Sequence, residues 1–312
     1  MAGGQSWTAD NIPDLSGKTV VITGANSGIG YEAALAMARK HAKVVLACRS
    51  IEKAEAAASQ IGAACGDADV EAMRLDLASL ASIRSFSDSF HRSHSRLDIL
   101  CNNAGVMAVP YRRTADGFEL QMGTNHFGHF ALTGMLLDLL MAAGGARVVT
   151  VSSGAHRFGT IRFDDLNWER GYRKWPAYGQ SKLANLLFCM ELDQRLKNTT
   201  SRVISAACHP GWAATNLQFA GPEMDGSRLV GALFSIGNRM VAQNAAMGAL
   251  PTLYAAVAPD VRGNDFIGPD GIGELRGYPT RVSRSAASCD ASTAARLWDV
   301  SEQLTGVRYN FS

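Results

Sequence analysis

Thr19-Val-Val-Ile-Thr23-Gly-Ala-Asn-Ser-Gly-Ile-Gly30 opens on a β-branched apolar run and closes on glycines at 24, 28 and 30. The run reads as a buried strand, and Tyr31 to Lys40 beyond it as a helix. Gly24 permits a tight turn. Gly28 and Gly30 let backbone and helix come close to a pyrophosphate, whose charge the helix N-terminus would hold together with Asn26, Ser27 and Ile29. The spacing is G-x-x-x-G-x-G, and a glycine pattern by itself also suits a plain turn. A strand before it and a helix after it, inside a βαβ unit, turn the reading to dinucleotide binding.

The same alternation continues outward. Strands are expected at 44–47, 70–75, 97–101, 147–151, 202–206 and 264–267, and helices at 52–61, 80–91, 117–143 (mostly), 177–197 and 242–257. Continuous apolar strands between helices imply a parallel sheet covered on both faces. The expected class is α/β: one Rossmann-type, doubly wound domain over 1–312, with a central parallel sheet of about seven strands. Its core spans about 15–270, and a C-terminal extension, 271–312, carries one helix at 291–304. Two long connections break the pattern, 157–176 and 212–238. Long loops in a compact domain tend to carry function, so both are expected at the substrate mouth, the second as a lid.

Composition removes whole classes of function. Of 312 residues, 47% are hydrophobic and 19% charged, which is ordinary for a globular chain. Thirty Lys plus Arg against 28 Asp plus Glu leave +2, too little to hold nucleic acid by charge. Six scattered cysteines, without a C-x-x-C pair, fit a reducing compartment. The first ten residues have neither the basic segment nor the apolar run of a signal peptide. The apolar stretch 131–143 is interrupted by Gly134 and Asp138, so no membrane span is expected and the cytoplasm is the expected compartment. His126, His129 and His156 lack partners at ligand spacing, so packing is expected rather than metal. His209 is expected to shape the turn at Pro210, and Cys48 and Cys101 to be inert.

Further motifs sit at strand ends. Ala47-Cys48-Arg49-Ser50 follows the second strand. An acid there would bind a free ribose 2′-hydroxyl; a thiol followed by Arg49 suits a 2′-phosphate, so NADP(H) is expected over NAD(H). Asn102-Asn-Ala-Gly105 ends the fourth strand, where open α/β sheets bind ligands, although it also suits a turn. Ser152-Ser153 ends the fifth strand, and Tyr178-Gly-Gln-Ser-Lys182 opens a helix. Residues four apart share a helix face, so Lys182 is expected to lower the Tyr178 pKa and Ser153 to donate to a substrate oxygen. Y-x-x-x-K in isolation is as well read as an exposed helical pair.

Taken together and in order, Thr23-Gly-x-x-x-Gly-x-Gly30, Asn102-Asn-Ala-Gly105, Ser153, Tyr178-x-x-x-Lys182 and His209-Pro-Gly211 resemble the short-chain dehydrogenase/reductase family over about residues 15–270. Leu46-Ala-Cys-Arg49, Asn103-Ala-Gly-Val-Met107, Asn125-His-Phe-Gly-His129 and Ser181-Lys-Leu-Ala-Asn185 resemble its retinol dehydrogenase and WW-domain oxidoreductase branch. The N-terminal apolar anchor of that branch's membrane-bound members is not expected here.

The resemblance implies roles. Tyr178 would be the acid-base, Lys182 would hold the nicotinamide ribose, Ser153 would bond the reacting oxygen, and Asn125 would fix a water linking Lys182 to solvent. Asp76 and Leu77 would lie near the adenine. Asn103, Ala104 and Gly105 would line the cofactor, with Pro210, Gly211 and Thr215 facing the nicotinamide end. Apart from the resemblance, Met107, Trp175 and Trp212 are candidates to face the substrate because pockets favour apolar and aromatic side chains, and Trp168 and Trp175 could equally pack their own loop. The 25 residues from Ser153 to Tyr178 are more than in many members of the family, and the excess falls in the aromatic connection.

The expected function is interconversion of a carbonyl and an alcohol on a small, apolar or aromatic substrate. A non-catalytic NADP(H)-binding scaffold or redox sensor is the alternative, and a sugar epimerase would need a larger C-terminal domain. Oligomeric state is open, with a homodimer or homotetramer the assemblies considered.

Overall fold

The protein is described by a computed structural model over residues 6–66, 68–212 and 243–311. Its strands are β1 (Thr19–Thr23), β2 (Lys43–Cys48), β3 (Val70–Arg74), β4 (Ile99–Asn102), β5 (Arg147–Val151), β6 (Ile204–Cys208), β7 (Phe266–Pro269) and β8 (Pro279–Arg281). They form one sheet in the order β3-β2-β1-β4-β5-β6-β7-β8. Neighbours from β3 to β7 pair in parallel, and β8 pairs antiparallel with β7.

The helices are α1 (Gly28–Ala38), α2 (Ile51–Cys65), α3 (Leu80–Ser93), α4 (Leu120–Met122), α5 (Gly128–Met135), α6 (Leu137–Ala142), α7 (Lys174–Lys197), α8 (Ala245–Val257) and α9 (Ala291–Thr305). A π-helical segment, Gly123–Phe127, joins α4 to α5.

Strand parity divides the core, because successive side chains point to opposite faces. Val20, Ile22, Val44 and Leu46 meet Met37 of α1, Ile61 of α2 and Leu253 of α8 on one face. Val21, Val45, Leu100 and Val148 meet Phe90 of α3, Phe130 of α5, Leu192 of α7 and Trp298 of α9 on the other. A strand covered twice has no polar side to show, which is why these runs are apolar throughout. The buried Asp98 that precedes β4 accepts from the Thr19 N–H at 3.0 Å and pairs with Lys18 and Arg96, so its charge is balanced.

Among the described residues the sheet has eight strands, against the expected number of about seven. Three-residue β8 contains a proline and has no alternation to read, and it lies inside the expected C-terminal extension. Helix α1 starts at Gly28, not Tyr31, so two of the glycines form its first turn. Helix α7 starts at Lys174, which moves Trp175 and Pro176 out of the connection. The stretch 117–143 is broken into α4, the π segment, α5 and α6. Residues 213–242, which include Thr215 and nearly all of the expected lid, lie outside the described residues.

Candidate active site

The sheet reverses its winding between β1 and β4, and such a switch point opens a crevice at the carboxyl ends of the strands. There the structure has a cavity of about 930 Å³, walled by the turns after β1, β2, β4, β5 and β6 and by the start of α7. Gly24, Asn26, Ser27, Gly28, Ile29 and Gly30 all border it.

The glycines are required by geometry. Gly24 and Gly28 have φ of 68° and 58°, a left-handed region that other residues enter at a cost. At Gly30 a Cβ would stand 2.6 Å from Asn103 Nδ2 and 2.7 Å from the Gly24 carbonyl. The loop is tied to the turn after β4: the N–H groups of Asn103 and Ala104 donate to Thr23 Oγ1 at 2.9 Å, and Asn103 Nδ2 donates to the Thr23 carbonyl at 2.8 Å. Ser27, the N-cap of α1, makes no side-chain cap bond. The first-turn N–H groups of α1, unmatched within the helix, therefore form an anion-binding end beside the cavity.

Cys48 is buried at the end of β2, and burial raises its thiol pKa against backbone N–H groups of Ala25, Asn26 and Gly24. Arg49 is exposed on the cavity wall. Arg74, opposite Cys48 in the register of β3, is also exposed and adds a second cation at this corner. It escaped the sequence reading because only strand pairing brings it there. Among the described wall residues the one carboxylate is Glu274, which is bound to His209 and Arg157.

Tyr178 and Lys182 share the inward face of α7, both nearly inaccessible to solvent. The helix is fixed to the end of β5: Ser152 Oγ donates to the Lys182 carbonyl at 2.7 Å, and Asn185 Nδ2 donates to the Val151 carbonyl at 3.0 Å. Lys182 Nζ donates to that same carbonyl at 3.0 Å and stands 5.8 Å from the Tyr178 ring centroid. The Ser153 hydroxyl lies near the Tyr178 phenol and favours its charged form.

The expected depression of the Tyr178 pKa by Lys182 does not occur. Burial pushes the phenol up to about 12, with Ser153 opposing. Burial likewise brings Lys182 down to about 8. Desolvation disfavours the charged form of each, and at this separation it outweighs their attraction. Both forms needed at neutral pH, phenol and ammonium, are nevertheless present.

Asn125 lies in the π segment, whose wide turn is a common functional feature. Its Oδ1 accepts from the Val106 N–H at 2.8 Å, while its Nδ2 donates to the Val106 carbonyl and to Ser181 Oγ, each at 2.9 Å. A Cβ on Gly105 would lie 3.0 Å from Asn125 Oδ1 and 3.6 Å from Lys182 Nζ, so these three positions adjoin.

Met107, Trp175 and Trp212 line the cavity with Phe158 and Leu275. Trp175 presents its ring edge-on to Tyr178, with centroids 6.3 Å apart. Trp168 has the packing role: it is buried beneath the Arg162 guanidinium at 4.2 Å. Asp76 and Leu77 are not among the described wall residues. Asp76 accepts from the Ala78 N–H, and Leu77 packs in the core beside Gly128.

His209 shapes its turn, since the Gly211 N–H donates to its Nδ1 at 3.2 Å. Gly211 has φ of 66°, and a Cβ there would be 2.5 Å from the Leu275 carbonyl. Residues 273–275 thus close the wall over Pro210 and Gly211. No sequence signal marks this, because the contact depends on a long-range return of the chain. His126 and His156 are buried and near-neutral packing residues. No group of three or more His, Cys, Asp or Glu among the described residues could hold a metal ion. No helix among them is long and apolar enough to cross a membrane.

Comparison with known proteins gives a consistent result. Residues 18–224 match the family model described as short chain dehydrogenase. Retinol dehydrogenase 13 of Homo sapiens is 43% identical over 312 residues, covering 98% of this chain and 89% of that one. Retinol dehydrogenase 14 of Homo sapiens is 40% identical over 306 residues, covering 94% and 88%. A crystal structure of an uncharacterized protein from Mycobacterium Paratuberculosis is 45% identical, with a TM-score of 0.81 over 98% of this chain and 100% of that one. With its α/β sheet and glycine loop, the chain belongs to the short-chain dehydrogenase family, near the retinol dehydrogenases, and is an oxidoreductase of the alcohol and carbonyl type.

Proposed function

We propose that the protein is an NADP(H)-dependent oxidoreductase that interconverts an aldehyde or ketone with its alcohol, on an apolar or aromatic substrate, with Tyr178 as the acid-base. One observation carries the reading: the glycine loop, Arg49, Ser153, Tyr178 and Lys182 all border a single cavity of about 930 Å³. The residues fit the cofactor. The Gly30 cradle has no room for a Cβ, the α1 N-terminus offers N–H groups to phosphate, and the Arg49 corner is free of wall carboxylates among the described residues. The nicotinamide, when bound, supplies or takes the hydride.

The chain supplies the rest. Arg49, with Arg74 beside it, would hold a 2′-phosphate, and the first turn of α1 the pyrophosphate. Lys182, cationic below about pH 8, would hold the ribose. In reduction the Tyr178 hydroxyl would give its proton to the forming alkoxide; in oxidation the Tyr178 phenolate, formed by prior loss of that proton, would take the proton of the substrate hydroxyl. Ser153 Oγ accepts from the Ala155 N–H at 3.2 Å, which orients its own hydroxyl toward the reacting oxygen. Asn125 would support Lys182 as the solvent side of the proton path. Met107, Phe158, Trp175, Trp212 and Leu275 would enclose an apolar substrate body. Retinol, which names the relatives above, is an apolar primary alcohol and heads the candidate substrates. The cytoplasm remains the proposed compartment.

The test is absorbance at the NADPH band with purified protein and a panel of apolar aldehydes, ketones and alcohols that includes retinal and retinol. The reading expects turnover, faster with NADPH than with NADH. Tight NADPH binding with no turnover across the panel would overturn it.

A further inference from the structure

His129 is 1% exposed on α5 and is used at both ring nitrogens. Nδ1 is 3.0 Å from the Asn125 carbonyl, and Nε2 is 2.9 Å from Thr23 Oγ1. A carbonyl only accepts, so Nδ1 carries the hydrogen. Burial keeps the ring neutral, so Nε2 is bare and accepts from the Thr23 hydroxyl. The Cys101 carbonyl, at 3.3 Å, is a longer alternative acceptor for that hydroxyl. With its hydrogen directed to His129, Thr23 Oγ1 turns its lone pairs to the N–H groups of Asn103 and Ala104. Those are the bonds that lock the glycine loop to the turn after β4.

At its other nitrogen His129 grips Asn125 from behind. The Asn125 side chain donates to Ser181 Oγ, and Ser181 Oγ donates to the Tyr178 carbonyl at 2.8 Å. A continuous buried chain therefore runs from Thr23 through His129, Asn125 and Ser181 to the backbone of Tyr178. The side chain of Phe130, the next residue along, packs in the core. His126, one turn earlier, bonds Ser301 and points away from the cavity wall.

We infer that His129 is a positioning residue that couples the cofactor loop to the Tyr178 helix, its Nε2 arm setting Thr23 and its Nδ1 arm setting Asn125. This rests on the reading that the glycine loop binds NADP(H) and Tyr178 moves the proton. The two arms can be separated. An asparagine amide reaches the position of Nδ1 and can still donate to the Asn125 carbonyl. A glutamine amide reaches the position of Nε2 and can still accept from Thr23.

The experiment compares His129→Asn, His129→Gln, His129→Leu and Thr23→Val. NADPH Kd is measured by fluorescence on the protein without substrate, and kcat is measured on the best substrate, with Tyr178→Phe as reference. The loss of one buried hydrogen bond predicts changes of roughly tenfold. His129→Asn should weaken NADPH binding more than it lowers kcat, and His129→Gln should do the reverse. His129→Leu should lose both. Thr23→Val, which also removes the acceptor of the Asn103 and Ala104 N–H groups, should weaken NADPH binding at least as much as His129→Asn, and the double variant Thr23→Val/His129→Asn should add nothing to Thr23→Val. Parallel loss of Kd and kcat in both amide variants, scaling with their Tm, would reduce His129 to a packing residue and overturn the inference. If the histidine variants fail to fold, Thr23→Val decides: an unchanged Kd overturns the inference, and a weakened one supports it. Because the Kd measurement needs no turnover, a wild type that binds NADPH but is inactive contradicts the proposed reaction while this coupling is still tested. Wild type that binds no NADPH overturns both.

Discussion

Cys48→Asp should turn the cofactor preference, and the size of the effect follows from the site. Cys48 is 2% exposed, and nearby backbone N–H groups of Ala25, Asn26 and Gly24 favour its charged form. A carboxylate placed there would be desolvated, which raises its pKa, but these groups and the adjacent Arg49 favour its charged form. Against a 2′-phosphate it acts as a like charge. Two unit charges 4 Å apart repel by about 1 kcal/mol in water and about 4 kcal/mol at an effective dielectric of 20. At about 1.4 kcal/mol per tenfold, kcat/KM for NADPH should fall by roughly 5- to 700-fold. For NADH the same carboxylate meets a ribose hydroxyl, so kcat/KM should hold or rise. The assay is the ratio of the two specificity constants in wild type and variant, with Tm recorded to show that the variant folds. A folded variant with an unchanged ratio, or a wild type that prefers NADH, would refute the argument from this strand end.

Other outcomes follow from the same geometry. Gly30→Ala would bring its Cβ to 2.7 Å from the Gly24 carbonyl; overpacking typically costs about 1–3 kcal/mol, so a fluorescence titration should show NADPH Kd weakened by roughly 5- to 150-fold. Lys182→Met should unfold at a higher temperature than wild type at pH 7, because burial lowers the Lys182 pKa from 10.5 to about 8 and its charging burdens the native state below that pH. At about 1.4 kcal/mol per unit the gain is at most about 3 kcal/mol, and calorimetry should show it shrinking as pH rises from 8 toward 10.5, where the unfolded lysine also becomes neutral. His126, His129 and His209 are held neutral by burial, at about 3, 4 and 4. The unfolded chain then binds more protons below pH 6.5, so Tm should fall as pH drops from 6.5 toward 4, and His126→Gln should make that fall shallower.

What the sequence conveys and what it hides divide along local and long-range lines. The strand, turn and helix around residues 19–38 are legible because each step is local: a β-branched run, a glycine at positive φ, an alanine-rich apolar stretch of helix formers. Tyr178 and Lys182 are legible as neighbours because their spacing alone puts them on one face. Their acid strengths are not, since burial by β5, the Ser153 turn and the cavity wall outweighs proximity and moves Tyr178 up rather than down. The π segment at Gly123–Phe127 has the same residue types as ordinary helix, so Asn125 was placed by motif and its widened turn was invisible. Strand β8 is too short to alternate. The wall at Gly273–Leu275 reaches the cavity only through a long-range return of the chain. Trp168 and Trp175, indistinguishable in sequence, separate once α7 is seen to begin at Lys174.

The central claim is that the Tyr178 hydroxyl moves the proton while the cavity around it holds the cofactor. Tyr178→Phe removes one oxygen and leaves the ring packed against Trp175. General acid-base groups typically contribute about 10²–10⁴-fold, so kcat in this variant should fall by that order, with NADPH Kd within a few-fold of wild type. A Tyr178→Phe protein that retains nearly full kcat on a good substrate would contradict the account.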